Sequence, residues 1–172
     1  ALRAGAMAWT EVEGFGAKAG DYFVELEKAL PGLPIETANA ARAGARVLCA
    51  LDEEYPDAFR RLRDAPPVLY VWGALTPVDT MGIALVGSRR PSTYGTAVAE
   101  RLAREFAQAG VTVVSGLARG VDGAAHAASL AAGGRTVGIL GSGFSRFYPS
   151  EHRTLADRMA KIHDSPPENW LP

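Results

Sequence analysis

Ile83-Ala84-Leu85-Val86-Gly87-Ser88-Arg89-Arg90 is a short apolar run that stops at a glycine and then delivers two arginines. The same design returns twice: Val111–Val114 leads into Ser115-Gly116-Leu117-Ala118-Arg119-Gly120, and Thr136–Leu140 leads into Gly141-Ser142-Gly143. Between these runs the period lengthens. Thr93–Ala109 carries Ala97, Val98, Leu102, Phe106 and Ala109 at helical spacing, and Gly110 ends it. Val121–Ala132 is alanine-rich and closed by Gly133-Gly134, and Ser150–Ala160 reads as a third helix with Ser150 as its N-cap after Pro149. Strands alternating with helices imply βαβ units, and the expected fold is α/β: a Rossmann-like parallel sheet flanked by helices. In such a sheet the turns at the carboxyl ends of the strands gather at one edge, beside helix N-termini that favour anions.

Upstream, Arg46–Leu51 reads as a buried strand, Asp52-Glu53-Glu54-Tyr55-Pro56 as a turn, and Ala58–Arg63 as a short helix. Pro66-Pro67 stiffens the entry to Val68-Leu69-Tyr70-Val71-Trp72, a β-branched and aromatic strand ended by Gly73. Residues 1–45 are Ala/Gly-rich with helical patterning and form a small N-terminal domain ahead of a core over 46–172. Within the former, Val12–Ala19 holds a Gly-x-Gly turn of the helix-hairpin-helix kind, but its acidic flanks (Glu11, Glu13, Asp21, Glu25, Glu27) favour a packing element.

Composition narrows the function classes. The chain of 172 residues is 48% hydrophobic and 22% charged, ordinary for a globular protein. It has no apolar run approaching the ~20 residues that span a bilayer and no leader pattern, which predicts a cytoplasmic protein without membrane contact. The one cysteine, Cys49, excludes an internal disulfide or a multi-cysteine metal site and is expected to be a buried thiol. Charge is uneven: residues 1–79 carry 8 Lys/Arg against 12 Asp/Glu, residues 80–172 carry 10 against 7. The positive excess falls on the half with the glycine turns.

The turns exclude the commonest nucleotide chemistries. Gly87 to Gly95 lacks the second glycine of a dinucleotide fingerprint, Gly141-Ser142-Gly143 is followed by Arg146 where that fingerprint has glycine, and no P-loop pattern occurs. What remains is phosphate capture: a hydroxyl, backbone N–H groups and guanidinium groups converging on one edge. The candidates are Gly87, Ser88, Arg89, Arg90, Ser115, Gly116, Arg119, Gly120, Gly141, Gly143 and Arg146. Phe144 and Phe147, interleaved with Arg146, are candidate base-stacking rings, and Tyr148 reads equally as stacker or core. Asp122 and His126 stand four apart on one helix near Ser115, a poor spacing for a triad. Asp122 is expected to satisfy N–H groups at the helix start, and His126 to hydrogen-bond within the packing. No His and carboxylate spacing suggests a metal, and no catalytic residue or cofactor is expected.

At these residues the sequence resembles the DprA family, also called Smf, the DNA-processing proteins of natural transformation and competence. The resemblance lies in Ile83–Arg89, Val114–His126 and Leu140–Gly143 with Tyr148-Pro149, preceded by Tyr55-Pro56 and Asp64–Gly73. It implies a non-enzymatic protein that binds and protects incoming single-stranded DNA, helps load the RecA recombinase during DNA recombination, and forms a homodimer through its Rossmann domain. It also implies that Ser88 and Arg89 form the phosphate pocket, that Ser115, Gly116 and Gly120 belong to the second turn, and that Gly141, Gly143 and Arg146 belong to the third. Asp164-Ser165-Pro166-Pro167 only echoes the family's Ser-Glu-x-Pro-Pro-Gly strand. Its Phe-Pro-x-Arg-Asn-Arg segment and winged-helix domain are missing, so the core is expected to be incomplete at its C-terminal end. The alternatives are a nucleotide-processing enzyme resembling the Lonely Guy phosphoribohydrolases and a small-nucleotide sensor. The former carry a Pro-Gly-Gly-x-Gly-Thr motif that is absent here.

Overall fold

The computed structural model describes residues 24–26 and 28–162. The Val12–Ala19 hairpin and the Asp164–Pro167 segment lie outside the described residues. The chain divides into two compact units, Ala1–Arg42 and Ala43–Pro172. In the first, a 3-10 turn at Leu30–Gly32 runs into helix α1 (Leu33–Arg42), in which Ala40 is buried.

The second unit opens with a two-stranded antiparallel sheet, β1 (Ala45–Cys49) paired with β2 (Val68–Trp72) so that Ala45 faces Trp72 and Cys49 faces Val68. Helix α2 (Asp57–Arg60) lies in the connector. Tyr55 is buried there and donates its hydroxyl to Pro66 O at 2.5 Å, while the Arg60 guanidinium caps Ala50 O and Asp52 O. In β1 Ala45 and Leu48 are buried while Arg46 and Cys49 are exposed. Cys49 is exposed rather than buried although it shares a strand face with the buried Ala45: it forms the last pair of the sheet, opposite the exposed Val68.

The second sheet is parallel, β3 (Gly82–Ala84), β4 (Thr112–Ser115) and β5 (Thr136–Gly138) side by side in that order. Helix α3 (Thr93–Gln108) joins β3 to β4, and α4 (Val121–Ala131) joins β4 to β5. Ser92 caps α3 by accepting from the Gly95 amide at 3.1 Å. With the strands in sequential order, crossovers of one hand place both helices on the same face. Alanine is frequent there because the helices pack closely: Ala103, Ala125 and Ala128 bury against Val113, with Leu85 and Phe106 closing the cluster. Helix α5 (Arg153–Ile162) adds a second cluster in which Ala156 and Met159 meet Leu117 and Leu130, with Trp72, Leu140 and Phe147 around them. Ser150 does not start this helix. It belongs to a 3-10 turn, Ser150–His152, after a cis Tyr148–Pro149 bond, and α5 begins at Arg153. The three parallel strands are also shorter than the apolar runs suggest, since Val86 and Ile139 lie beyond the pairing and are 70% and 46% exposed.

At the amino ends of the strands, Asp79 and Arg135 form a buried clamp. Arg135 gives Nε and Nη2 to the two Asp79 carboxylate oxygens at 3.0 and 2.7 Å, with only 3% and 11% of the two side chains exposed. Asp79 also accepts from the Thr76 amide and the Thr112 hydroxyl, and Arg135 reaches Ala74 O. The clamp ties the Pro77–Thr80 turn to the starts of β4 and β5.

Candidate phosphate-binding site

At the opposite edge the three glycine turns meet, with the second turn in the middle. Gly120 has φ +79°, and a Cβ built on it would fall inside van der Waals contact of Ser88 O and 2.8 Å from the Arg89 carbonyl carbon and Pro91 Cδ. Only glycine lets the first turn lie this close over the second. Ser88 O then accepts from the Val121 amide at 3.1 Å, so the first turn caps the start of α4 with its own backbone. The Ser88 hydroxyl accepts from the Arg90 amide at 3.0 Å, a local turn that fixes the chain as it leaves β3.

The third turn reaches the second through side chains. Arg119 donates Nε and Nη2 to the Glu151 carboxylate at 2.5 and 3.2 Å and Nη1 to the Tyr148 hydroxyl at 3.1 Å, its guanidinium 5.4 Å from the Tyr148 ring centre. One residue on, His152 donates Nδ1–H to Leu117 O at 2.9 Å. Its ring lies against α4 where Gly123 leaves room; a Cβ there would sit 2.9 Å from His152 Nε2. Leu117 itself is buried at φ +56°, a conformation that its apolar contacts and these hydrogen bonds hold in place.

Some expected ligand groups are spent inside the protein. The Ser115 hydroxyl donates to Leu85 O at 2.5 Å and is buried, and the Gly116 amide donates to Asp122 Oδ2 at 3.1 Å. Neither faces a ligand; both bind β4 to its surroundings. Asp122 thus serves the turn before its helix rather than the first helical N–H groups. Phe144 packs edge-on against Trp72 at 5.9 Å, and the Phe147 ring lies under Arg153, which also covers Trp72 at 4.6 Å. Both rings are half-buried, whereas Tyr148 is 56% exposed and is the open aromatic at the third turn. Gly141 and Gly143 are exposed and crowded by nothing nearby.

What the edge presents outward is therefore Arg89, Arg90 and Arg146. All three are exposed, and among the described residues none has a carboxylate partner. Arg119 and Tyr148 stand with them. The expected list missed Glu151. Nothing in Tyr148-Pro149-Ser150-Glu151 announces a partner 32 residues upstream, and the pairing exists only once β4 and β5 are adjacent.

His126, as expected, is a packing residue: it is fully buried and its Nδ1 shares a 2.6 Å hydrogen bond with Thr136 Oγ1. Burial, against the pull of Asp122 and with a small push from His152, lowers its pKa from 6.5 to about 4. The unfolded chain then takes up a proton near pH 6.5 that the folded chain refuses. The neutral ring contributes stability fully present above pH 6.5 and lost as pH falls through about 4. Urea titrations should therefore show on the order of 2–3 kcal/mol less stability at pH 4.5 than at pH 7. The same comparison on His126→Gln should be much flatter; an unchanged drop would assign it to other groups.

A parallel sheet whose glycine turns pack on one another, cap a helix with a backbone carbonyl and surround themselves with uncommitted arginines defines a Rossmann-like protein. The sequence profile of the family described as DNA recombination-mediator protein A matches residues 46–164. The chain belongs to that family, the DprA/Smf proteins. It is 39% identical over 149 residues to DNA processing protein DprA of Bacillus subtilis, covering 84% of this chain and 50% of that one. It is 31% identical to Protein Smf of Synechocystis, covering 93% and 41%. Among solved structures it resembles DprA from Streptococcus pneumoniae, with a TM-score of 0.66 and 27% identity over 92% of this chain and 59% of that chain. It also resembles DNA processing protein A from Helicobacter pylori, a structure reporting that protein's single-stranded DNA binding mode. Here the TM-score is 0.57 at 30% identity, over 69% of this chain and 53% of that chain. The chain thus spans about half the length of the curated relatives it matches.

Proposed function

We propose that this chain binds single-stranded DNA across its three glycine turns as a recombination mediator without catalytic turnover. The observation that carries the reading is the set of exposed, uncommitted arginines: Arg89 and Arg90 on a first turn seated against the second at Gly120, and Arg146 after the third. Arginine neutralises backbone phosphate and an exposed ring such as Tyr148 stacks on any base, the combination that suits a strand of arbitrary sequence. The absence of turnover is supported by the fate of the groups nearest to a triad. Ser115 is bonded to Leu85 O, Asp122 to the Gly116 amide, and His126 is sealed from solvent.

The wider role follows the family: protecting incoming DNA in the cytoplasm during competence, loading RecA onto it, and acting as a homodimer through the Rossmann unit. The apolar side chains left open beside β3, Met81 at 67% and Val86 at 70% exposure, support self-association. No helix among the described residues is long and apolar enough to cross a membrane.

The test is anisotropy of a labelled oligo-dT, with matched duplex as competitor, over a salt series. Each neutralised phosphate contributes about 0.7 to the slope of log K against log salt on a single strand. Arg89→Ala is expected to weaken binding and to flatten that slope by about 0.7, with an unchanged unfolding curve. Unchanged affinity in the folded variant would remove Arg89 from the site. A shallow slope in the wild type, with tight binding of a mononucleotide, would favour the nucleotide-processing reading.

A further inference from the structure

Arg119 differs from the other arginines of the turns, since it alone among them has a carboxylate partner among the described residues. Glu151 meets it through two oxygens on the Nε and Nη2 edge, the fork that a phosphate also takes. The pair is open to solvent, with 50% and 49% of the two side chains exposed. The guanidinium does not depend on Glu151 for its aim, because the Tyr148 hydroxyl holds Nη1 and the Tyr148 ring supports the flat of the group. Nor does the fold depend on it: the Ser150–His152 turn is fastened by His152 to Leu117 O and by the buried Pro149. An exposed ion pair of this kind contributes little to stability.

We propose that Glu151 is a built-in stand-in for phosphate, which occupies the receiving edge of Arg119 and yields it to a phosphodiester, so that Glu151 sets how tightly a strand is held. The inference rests on the single-strand reading of the site. Exchange, not protonation, opens the contact. The Arg119 hydrogen bonds hold the Glu151 carboxyl at about 2, so it is an anion throughout the working pH range. The consequence is a graded grip. A strand must displace an anion already in place, a cost that an isolated phosphate meets with one contact and a strand offsets with its contacts to Arg89, Arg90 and Arg146.

A double-mutant cycle on the full chain tests this, with labelled oligo-dT as probe and thermal unfolding run on every variant. Glu151→Gln is expected to tighten binding about fivefold, the range of one exposed charge pair. Arg119→Ala is expected to weaken it, and Glu151→Gln added to Arg119→Ala to change nothing further; Glu151→Ala should follow the same order. Equal tightening in both backgrounds would reduce Glu151 to a general negative charge and overturn the proposal. Weakening or unfolding by Glu151→Gln would make it a structural partner and overturn it too. If the wild type fails to bind oligo-dT at low salt, the single-strand reading itself falls, whatever the variants do.

Discussion

Gly120→Ala is expected to separate the first turn from the second and to abolish strand binding. The new methyl group would meet backbone atoms, Ser88 O and the Arg89 carbonyl carbon, which cannot swing aside as a flexible side chain does. The conformation adds its own cost: φ +79° with ψ −127° is a region that only glycine occupies without strain. Relief requires the first turn to lift, which breaks the Val121 N–H to Ser88 O bond and moves Arg89 and Arg90 from their places. Stability should fall by about 2–4 kcal/mol by urea titration. Binding should remain undetectable even at temperatures where the variant stays folded. A folded variant with wild-type affinity would show that the two turns need not touch to hold DNA.

The second large effect lies at the far edge. Asp79→Asn is expected to cost about 3–5 kcal/mol, because it strands the Arg135 guanidinium, almost fully buried, without its counter-charge. Arg135→Met in the same chain should add far less than it costs alone, since the charge to be compensated has gone. Strand affinity at low temperature should be preserved in both, because the clamp sits at the amino ends of strands whose carboxyl ends carry the proposed site. The clamp also adds an acid limit. Burial alone would raise the Asp79 pKa. The Arg135 hydrogen bonds, the Thr76 amide, the Arg135 charge and the Thr112 hydroxyl together outweigh it and hold it below 3.8. Its contribution is thus present above pH 3.8 and lost as pH falls through the lowered value, below the window in which His126 acts. Two-step acid destabilisation, absent at the lower step in Asp79→Asn, is the signature in a pH series of unfolding curves.

The parallel sheet was legible because its signals are local: apolar runs, glycine stops and alanine-patterned helices recur in order along the chain. The glycine turn that puts Ser88 and Arg89 at a strand end was legible for the same reason. What escaped depends on partners distant in sequence. Ser115 looks like a free hydroxyl until β3 brings Leu85 O beside it. Phe144 and Phe147 look available until Trp72 and Arg153 pack on them. Glu151 carries no motif at all, and the Asp79–Arg135 clamp joins residues 56 apart. Cys49 is open despite its apolar neighbours in sequence, because it sits at the last pair of a two-stranded sheet, opposite the exposed Val68.

The order β3-β4-β5 has a consequence for counting. Neighbouring strands in a sheet stand about 4.8 Å apart, so three turns on three adjacent strands span a line only about 10 Å long. Under the proposed function, one chain grips a few nucleotides and leaves the rest of a long strand bare. A long DNA is then a lattice of short, overlapping landing places. Its coverage is governed by gaps between bound neighbours and by the ratio of protein to nucleotide, and protection of the strand becomes a matter of stoichiometry before it is one of affinity.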